Sequence, residues 1–369
     1  MEMLRRIVLK GFKSIKAMDL ELKPLNVLIG ANGAGKSNLI SFFKLLYEMM
    51  GGHLQQHIGT TGRAQSLLHF GPKVTPQIEA RLEYESRHGV TTYEMRLVHA
   101  VGDALIYGDE RFVFHRNRDV DARPEFRLGA GHEETRLHEL GAQNVHAALR
   151  ISHLLDSCRV YHFHDTGPTA RVRQYCYVGG GLILLPDAGN LAAFLLRFRS
   201  ENEGMVYRRI VDTVRLIAPF FDDFVLEPTG ATRDVMLNWR SQGSDQVFGP
   251  HQLSDGTLRA MCLVTLLLQP EDELPGLVIV DEPELGLHPY ALNVVAALFK
   301  KASHHAQVLV STQSSAFLDN FEAEDVVVVN RVGQESQFER PDAAKLAAWL
   351  DEYSLGEIWE KNVIGGGPH

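Results

Sequence analysis

Apolar and polar positions alternate along the first twenty residues and again between residues 77 and 115. Elsewhere they recur at helical spacing or fuse into solid apolar runs. Leu4-Arg5-Arg6-Ile7-Val8-Leu9 reads as a half-buried strand, and Gly11-Phe12-Lys13-Ser14-Ile15 turns it into a second, Ala17 to Leu22. Pro24 separates this hairpin from the apolar run Leu25–Ile29. Beyond that run, Leu39, Ile40, Phe42, Phe43, Leu45 and Leu46 predict an amphipathic helix ending near Gly51-Gly52. Residues 53–72 read as a Gly-punctuated loop with short helical pieces. The runs 77–86, 90–100 and 105–115 predict three strands, the first two joined through Arg87-His88-Gly89. Residues 117–135, rich in Arg, Asp, Glu and Gly, read as a mobile segment with a solvated charged face.

In the second half, helices are predicted over Asn144–Leu155, Asn190–Arg199 and Met205–Leu216, and a strand over Arg159–Phe163. Phe220–Leu226 closes that region, and Val235–Trp239 and Gln246–Phe248 form a β pair. Ser254–Leu268 has the pattern of a buried helix. Leu277-Val278-Ile279-Val280 is apolar throughout, as a parallel strand covered on both faces must be. A helix from Pro289 to Ala302 leads to a second such strand, Val308–Val310, and Val326–Asn330 is a third. The last predicted helix, Asp342–Leu350, precedes a Gly-rich tail. The class is α/β, with no internal repeat and no heptad run long enough for a coiled coil.

Composition narrows the picture modestly. A chain of 369 residues, 45% hydrophobic and 22% charged, is ordinary for a globular protein. Its net charge of −9 gives no global attraction to nucleic acid or to an anionic membrane. Cys158, Cys176 and Cys262 are scattered without metal-site spacing and read as free thiols in a reducing compartment. The N-terminus leads directly into a strand, and no run approaches the roughly 18 apolar residues of a spanning helix. A soluble, cytoplasmic chain without membrane partners is expected. His53, His57, His69, His132, His138, His304 and His305 share no ligand spacing, so a structural metal is not expected.

Chemistry enters at Gly30-Ala31-Asn32-Gly33-Ala34-Gly35-Lys36-Ser37, which matches the phosphate-loop pattern G-x-x-x-x-G-K-[ST] between a strand and a helix. Glycines let backbone N–H groups wrap phosphate oxygens, and the helix turns its positive end to the same anion. Lys36 would neutralise the β- and γ-phosphates of ATP, and the Ser37 hydroxyl would ligate Mg²⁺. Asp281 ends the strand Leu277–Val280 and is placed to hold Mg²⁺ opposite Ser37. Glu282 follows it and would orient or deprotonate the attacking water. Two acids that merely cap a strand are the plain alternative, and Glu284 reads equally well as a solvated loop carboxylate. Leu253-Ser254-Asp255-Gly256-Thr257 opens the helix before that strand; Ser254 suits an N-cap and Asp255 the helix dipole.

These pieces, in this order, resemble the small ABC-type ATPases of the RecF, SMC and OLD (overcoming lysogenization defect) group. The resembling stretches are Gly11–Ile15, Gly30–Asn38, Leu253–Thr257, Asp281–Pro289 and Ser311-Thr312-Gln313-Ser314. From Pro219 to Gly367 the chain is most similar to short stand-alone bacterial AAA-family ATPases. The resemblance implies a P-loop NTPase head with a mixed central sheet, an antiparallel β lobe and a helical signature lobe. It implies one head over 1–369: a nucleotide-binding core of 1–70 and 250–340, a β-rich insertion 71–135, a helical/β lobe 136–249, and a C-terminal helix and tail 341–369. ATP would be sandwiched between two heads of a twofold dimer. Lys13, Asn32, Gly33, Ala34, Gly35, Lys36, Ser37 and Asn38 would then grip the nucleotide in cis, and Ser254 and Gly256 would act in trans. Leu285–Pro289 would lie at the dimer seam.

Three departures qualify the resemblance. Asp255 and Thr257 replace a glycine and a glutamine of the usual L-S-G-G-Q signature. Gln313 stands where many relatives carry a histidine on the γ-phosphate; an amide can donate a hydrogen bond but cannot carry charge. For the loop that completes the site after the strand Arg159–Phe163, His164-Asp165 is the candidate, with a plain polar strand end as the alternative. The implied activity is slow hydrolysis of ATP to ADP and phosphate, driving a dimeric switch that controls a separate effector in a DNA-related or anti-phage role. The alternative is a RecF-like, ATP-dependent clamp on DNA. For such a clamp Arg111, Arg116, Arg118, Arg123 and Arg127 are the candidate patch, although acids are interspersed among them. The modified signature, the Gly11–Ile15 motif and the β-rich insert do not fit a membrane-transporter subunit.

Overall fold

The computed structural model describes residues 2–87, 89–116, 125–142, 146–231 and 233–367. Two six-stranded sheets dominate it. The central sheet runs in the order Glu335–Glu339, Val326–Val332, Leu25–Ile29, Gln307–Thr312, Leu277–Asp281 and Cys158–Tyr161. Its pairings are parallel except that of Glu335–Glu339 on the edge. The three middle strands are buried almost throughout, as their unbroken apolar runs require.

Alternation along these strands splits the interior in two. Leu28, Ile279, Leu309 and Val327 point to one face, where they pack with Leu39, Phe42, Phe43 and Leu46 of the helix Lys36–Met50 and with the second sheet. Val27, Ile29, Val278, Val280, Val308 and Val310 point to the other. There they meet Met261 and Leu263 of the helix Asp255–Leu267, Val295 and Phe299 of Pro289–Ala302, and the helices Leu191–Ser200 and Met205–Ile217. The sheet is thus covered on both faces, and the C-terminal ends of its parallel strands open onto loops.

The second sheet is antiparallel, in the order Ile15–Glu21, Met3–Phe12, Gln77–Ser86, Gly89–Ala100, Ala104–Arg116 and Glu125–Gly129. The first hairpin therefore belongs to the β lobe and not to the nucleotide-binding core expected over 1–70. Its alternating burial suits a sheet with one face against the core and the other in water. Residues 125–137, expected to be mobile, are held to this lobe. The fully buried Glu110 accepts from Tyr93 Oη at 2.7 Å, the Arg136 backbone N–H at 3.1 Å and Thr135 Oγ1, and pairs with His132 Nε2 at 2.8 Å. Arg118 and Arg123 lie outside the described residues, as does the side chain of Arg116. Arg111 is paired with Glu94 and flanked by Asp109 and Glu125.

Two C-terminal elements carry weak sequence patterns. Glu335–Glu339 adds the antiparallel edge of the central sheet, and Leu355–Glu360 buries Ile358 and Trp359 in the core. Among the described residues, no helix is long and apolar enough to cross a membrane.

Candidate nucleotide site

The strand Leu25–Ile29 delivers the chain to Gly30 beside Thr312, its register partner being Ile29. Asp281 lies opposite Ser311 on the next strand. Three neighbouring parallel strands thus bring the phosphate loop, Gln313, and Asp281 with Glu282 to one edge of the sheet.

The loop is shaped by its glycines. Gly33 and Gly35 take positive φ of 76° and 116°, which side-chain-bearing residues rarely adopt. A Cβ on Gly35 would meet Ser336 Oγ at 2.0 Å, and one on Gly30 would meet the Val329 carbonyl at 2.4 Å. Ser336, buried on the edge strand, donates to the Ala34 carbonyl at 2.5 Å and shares a 2.6 Å hydrogen bond with Ser14. Asn38 Nδ2 donates to that same Ser14 hydroxyl at 2.5 Å. A hydroxyl cluster behind the loop therefore locks it, and Ser336 has no motif that reveals it in the sequence. Arg331 adds a contact to the Gly33 carbonyl at 2.9 Å.

Lys36 is buried and donates to the Gly30 carbonyl at 2.5 Å. Burial lowers its pKa, while Glu282, Asp281 and Glu284 act to raise it. Ser37 and Asn32 are exposed at the mouth. Lys13 is placed differently from the rest of the predicted grip. Its amine donates to Ser41 at 2.6 Å, one helical turn beyond Ser37, and burial lowers its pKa. Ser14, its neighbour, is the residue of that turn that reaches the phosphate-loop segment.

Across the site, burial pushes the Asp281 carboxyl above its ordinary pKa. Ser311 stands close enough to oppose the shift but without a well-formed hydrogen bond. Asp281 Oδ1 is buried and has no hydrogen-bond partner. Such an orphaned acceptor beside an exposed serine hydroxyl fits a hard cation that takes oxygen ligands. Glu282 adopts φ 45° and accepts from Gln313 Nε2. A non-glycine residue in this conformation is strained, which surrounding contacts must sustain. Glu284 is an anchor and not a solvated carboxylate: its Oε1 accepts from Thr312 Oγ1 at 2.7 Å and from the Gln313 N–H at 2.9 Å. Its pKa too is raised by burial.

The predicted signature forms as expected locally. Ser254 caps the helix Asp255–Leu267, accepting from the Thr257 N–H at 3.2 Å, and its hydroxyl bonds only to Thr257. Gly256 is required by contact, because a Cβ there would lie 2.0 Å from the Gly286 carbonyl. Two arginines that carry no motif of their own tie the loops together. Arg259 donates to the carbonyls of Phe163 at 3.0 Å, His164 at 2.8 Å and Leu285 at 2.9 Å. Buried Arg173 bonds Thr166 O at 2.7 Å and Asp255 Oδ1 at 2.8 Å. His164 in turn contacts the Asp281 carbonyl at 2.9 Å, so the loop after the edge strand reaches the acidic residues.

This fold and this site define an ABC-type P-loop NTPase. The Smc head bound to the C-winged helix domain of ScpA superposes with TM-score 0.63 at 15% identity, covering 94% of this chain and 99% of that one. The Pyrococcus furiosus Smc head with an extended coiled coil, bound to the C-terminal domain of ScpA, gives 0.59 at 17% identity over 95% and 99%. The Pyrococcus yayanosii Smc head with a coiled coil and joint gives 0.54 at 12% over 95% and 99%. At these identities the likeness is one of fold. No curated protein matches the chain in sequence. The family model described as "AAA domain, putative AbiEii toxin, Type IV TA system" matches residues 25–96 and 171–319, more than half of the chain. The protein belongs to that AAA-domain family.

Proposed function

We propose that the protein hydrolyses Mg·ATP between two copies of itself, and that the closing and opening of this pair is sensed by a separate effector protein. The observation that carries the reading is the convergence of Lys36, Ser37, Asp281, Glu282 and Gln313 at the ends of adjacent parallel strands. Lys36 would exchange its contact with the Gly30 carbonyl for phosphate oxygens. Ser37 and Asp281 would hold Mg²⁺, which supplies charge neutralisation of the phosphates. Glu282, kept in place by Gln313, would accept the proton of the attacking water.

The signature supports an arrangement in trans. Ser254 and Asp255 are exposed at the start of a helix of 13 residues, and the Ser254 hydroxyl bonds only within that helix. A helix N-terminus with free N–H groups favours an anion brought by a second head. In this reading the chain is one head, with the antiparallel sheet as one lobe and the signature helices as the other.

An effector on another chain agrees with the family description, which names a toxin of a toxin–antitoxin system. Two of the similar Smc heads are bound to ScpA domains, so this fold can carry a second protein. A clamp on DNA finds less support, since Arg111 and Arg127 are engaged with Glu94 and Glu125. Phosphate release from purified protein with Mg·ATP tests the enzymatic part. Turnover that is absent from wild type, or that survives unchanged in Lys36→Ala, contradicts it.

A further inference from the structure

We propose that Phe70 is the stacking platform for the nucleobase of the bound nucleotide, an inference that rests on the ATP reading above. Beside the phosphate loop lies an open cleft of about 700 Å³, lined among others by Lys13, Ser14, Phe70, Lys73 and Arg331. That volume is in the range of small-molecule sites. The cleft is continuous with the phosphate loop: Ser14 bonds Asn38 of the P-loop helix, and Arg331 bonds the Gly33 carbonyl. A nucleotide whose phosphates sit on Gly33–Ser37 therefore has this cleft within reach of its ribose and base.

Phe70 is 53% exposed in otherwise polar surroundings, yet it is held firmly. Its backbone is at φ 55°, a conformation that bulky side chains adopt only under constraint. The ring lies edge-on to buried His69, 4.3 Å between centroids. His69 Nδ1 contacts the Lys13 carbonyl at 2.6 Å, and its N–H donates to Gly11 O at 3.0 Å. The ring is thus fixed to the same turn, Gly11–Ser14, that braces the phosphate loop. A single exposed aromatic is common on protein surfaces. An exposed ring fixed by a strained backbone and a buried histidine, over a nucleoside-sized cleft next to a phosphate loop, is a preorganised base site. Gln65 and Gln334, also on the cleft, offer both donors and acceptors to the ribose or base edge.

The test compares ATP with inorganic tripolyphosphate, which has the phosphates and no base. Phe70→Ala is expected to weaken ATP binding by about 5- to 100-fold and to leave tripolyphosphate binding unchanged. Phe70→Tyr keeps the π-face and is expected to bind ATP as wild type does. Lys36→Ala is expected to weaken both ligands. If Phe70→Ala binds ATP as tightly as wild type while Lys36→Ala does not, the base site is refuted and the ATP site stands. If Phe70→Ala weakens tripolyphosphate equally, the ring acts only on the loop's structure and the base site is again refuted. If Lys36→Ala leaves both affinities intact, it is the ATP reading that fails.

Discussion

The side-chain amide of Gln313 donates to the carboxylate of Glu282, and the backbone of Gln313 is itself held by Glu284. An amide can orient a carboxylate but cannot take its proton at neutral pH. Gln313 is therefore a positioning residue, and Glu282 is left as the group able to accept the proton of water. Gln313→Ala is expected to lower kcat by about 10- to 100-fold through loss of alignment, with ATP affinity held within about twofold. Steady-state phosphate release beside equilibrium binding checks this. An affinity loss that accounts for the whole fall in kcat/KM would assign Gln313 to nucleotide holding instead.

Asp281 gives a pH signature. Burial raises its folded pKa above the ordinary 3.8, so the folded state resists ionising it. Below pH 3.8 the group is protonated whether folded or not and costs nothing; as pH rises through the folded pKa, stability is lost. Asp281→Asn removes that cost. Without nucleotide it should melt about 2 °C above wild type at pH 7, the gap closing as pH falls towards 4. Hydrolysis should be lost in the same variant. A lower Tm than wild type at neutral pH would contradict the picture of a carboxylate kept for function at the expense of stability.

Gly35 and Gly33 separate steric from conformational demand. Both take positive φ, but a Cβ on Gly33 meets open space and one on Gly35 meets Ser336 Oγ at 2.0 Å. Gly35→Ala should displace Ser336 from Ala34 and Ser14, lowering stability by about 1 to 3 kcal/mol and abolishing ATP binding. Gly33→Ala should cost less stability. Equal melting temperatures for the two variants would show that the hydroxyl cluster does not brace the loop.

Arg259 joins the loop at Phe163 and His164 to Leu285 across the signature helix. Arg259→Gln should leave ATP binding by the single head intact and weaken ATP-dependent association by about tenfold or more, since each carbonyl loses a charged donor. Sedimentation at graded protein concentration, with saturating Mg·ATP, reads this directly. Unchanged association would make the clamp a purely local brace.

The motif-bearing half of the site was legible because its chemistry fixes residue types at short spacing. Gly30–Ser37 lies between its strand and helix, Asp281-Glu282 ends a buried strand, and Ser254 caps its helix, as their local patterns require. The bracing was not legible, because it is made by contacts between distant segments. Ser336 meets Ser14 across 322 positions, and Arg173 meets Asp255 across 82. Glu284 read as a loop acid because nothing local marks the backbone N–H of Gln313 that it accepts. The hairpin of residues 3–21 was grouped with the core by its place in the chain, while sheet pairing put it in the β lobe. Residues 125–137 read as mobile by charge, yet one buried acid, Glu110, holds them. In each case the misread residue answers to a partner that pattern and period do not encode.

The central claim is that ATP held on Gly30–Ser37 is closed by a second copy of the chain, through its Ser254 helix. Glu282→Gln keeps the charge-neutral shape of the side chain and removes the proton acceptor, so a closed state should accumulate. Light scattering on this variant with saturating Mg·ATP measures the claim most directly. A mass twice that of the 41.3 kDa chain, reverting to a single chain with ADP, is the predicted result. A mass of one chain with ATP bound would contradict it.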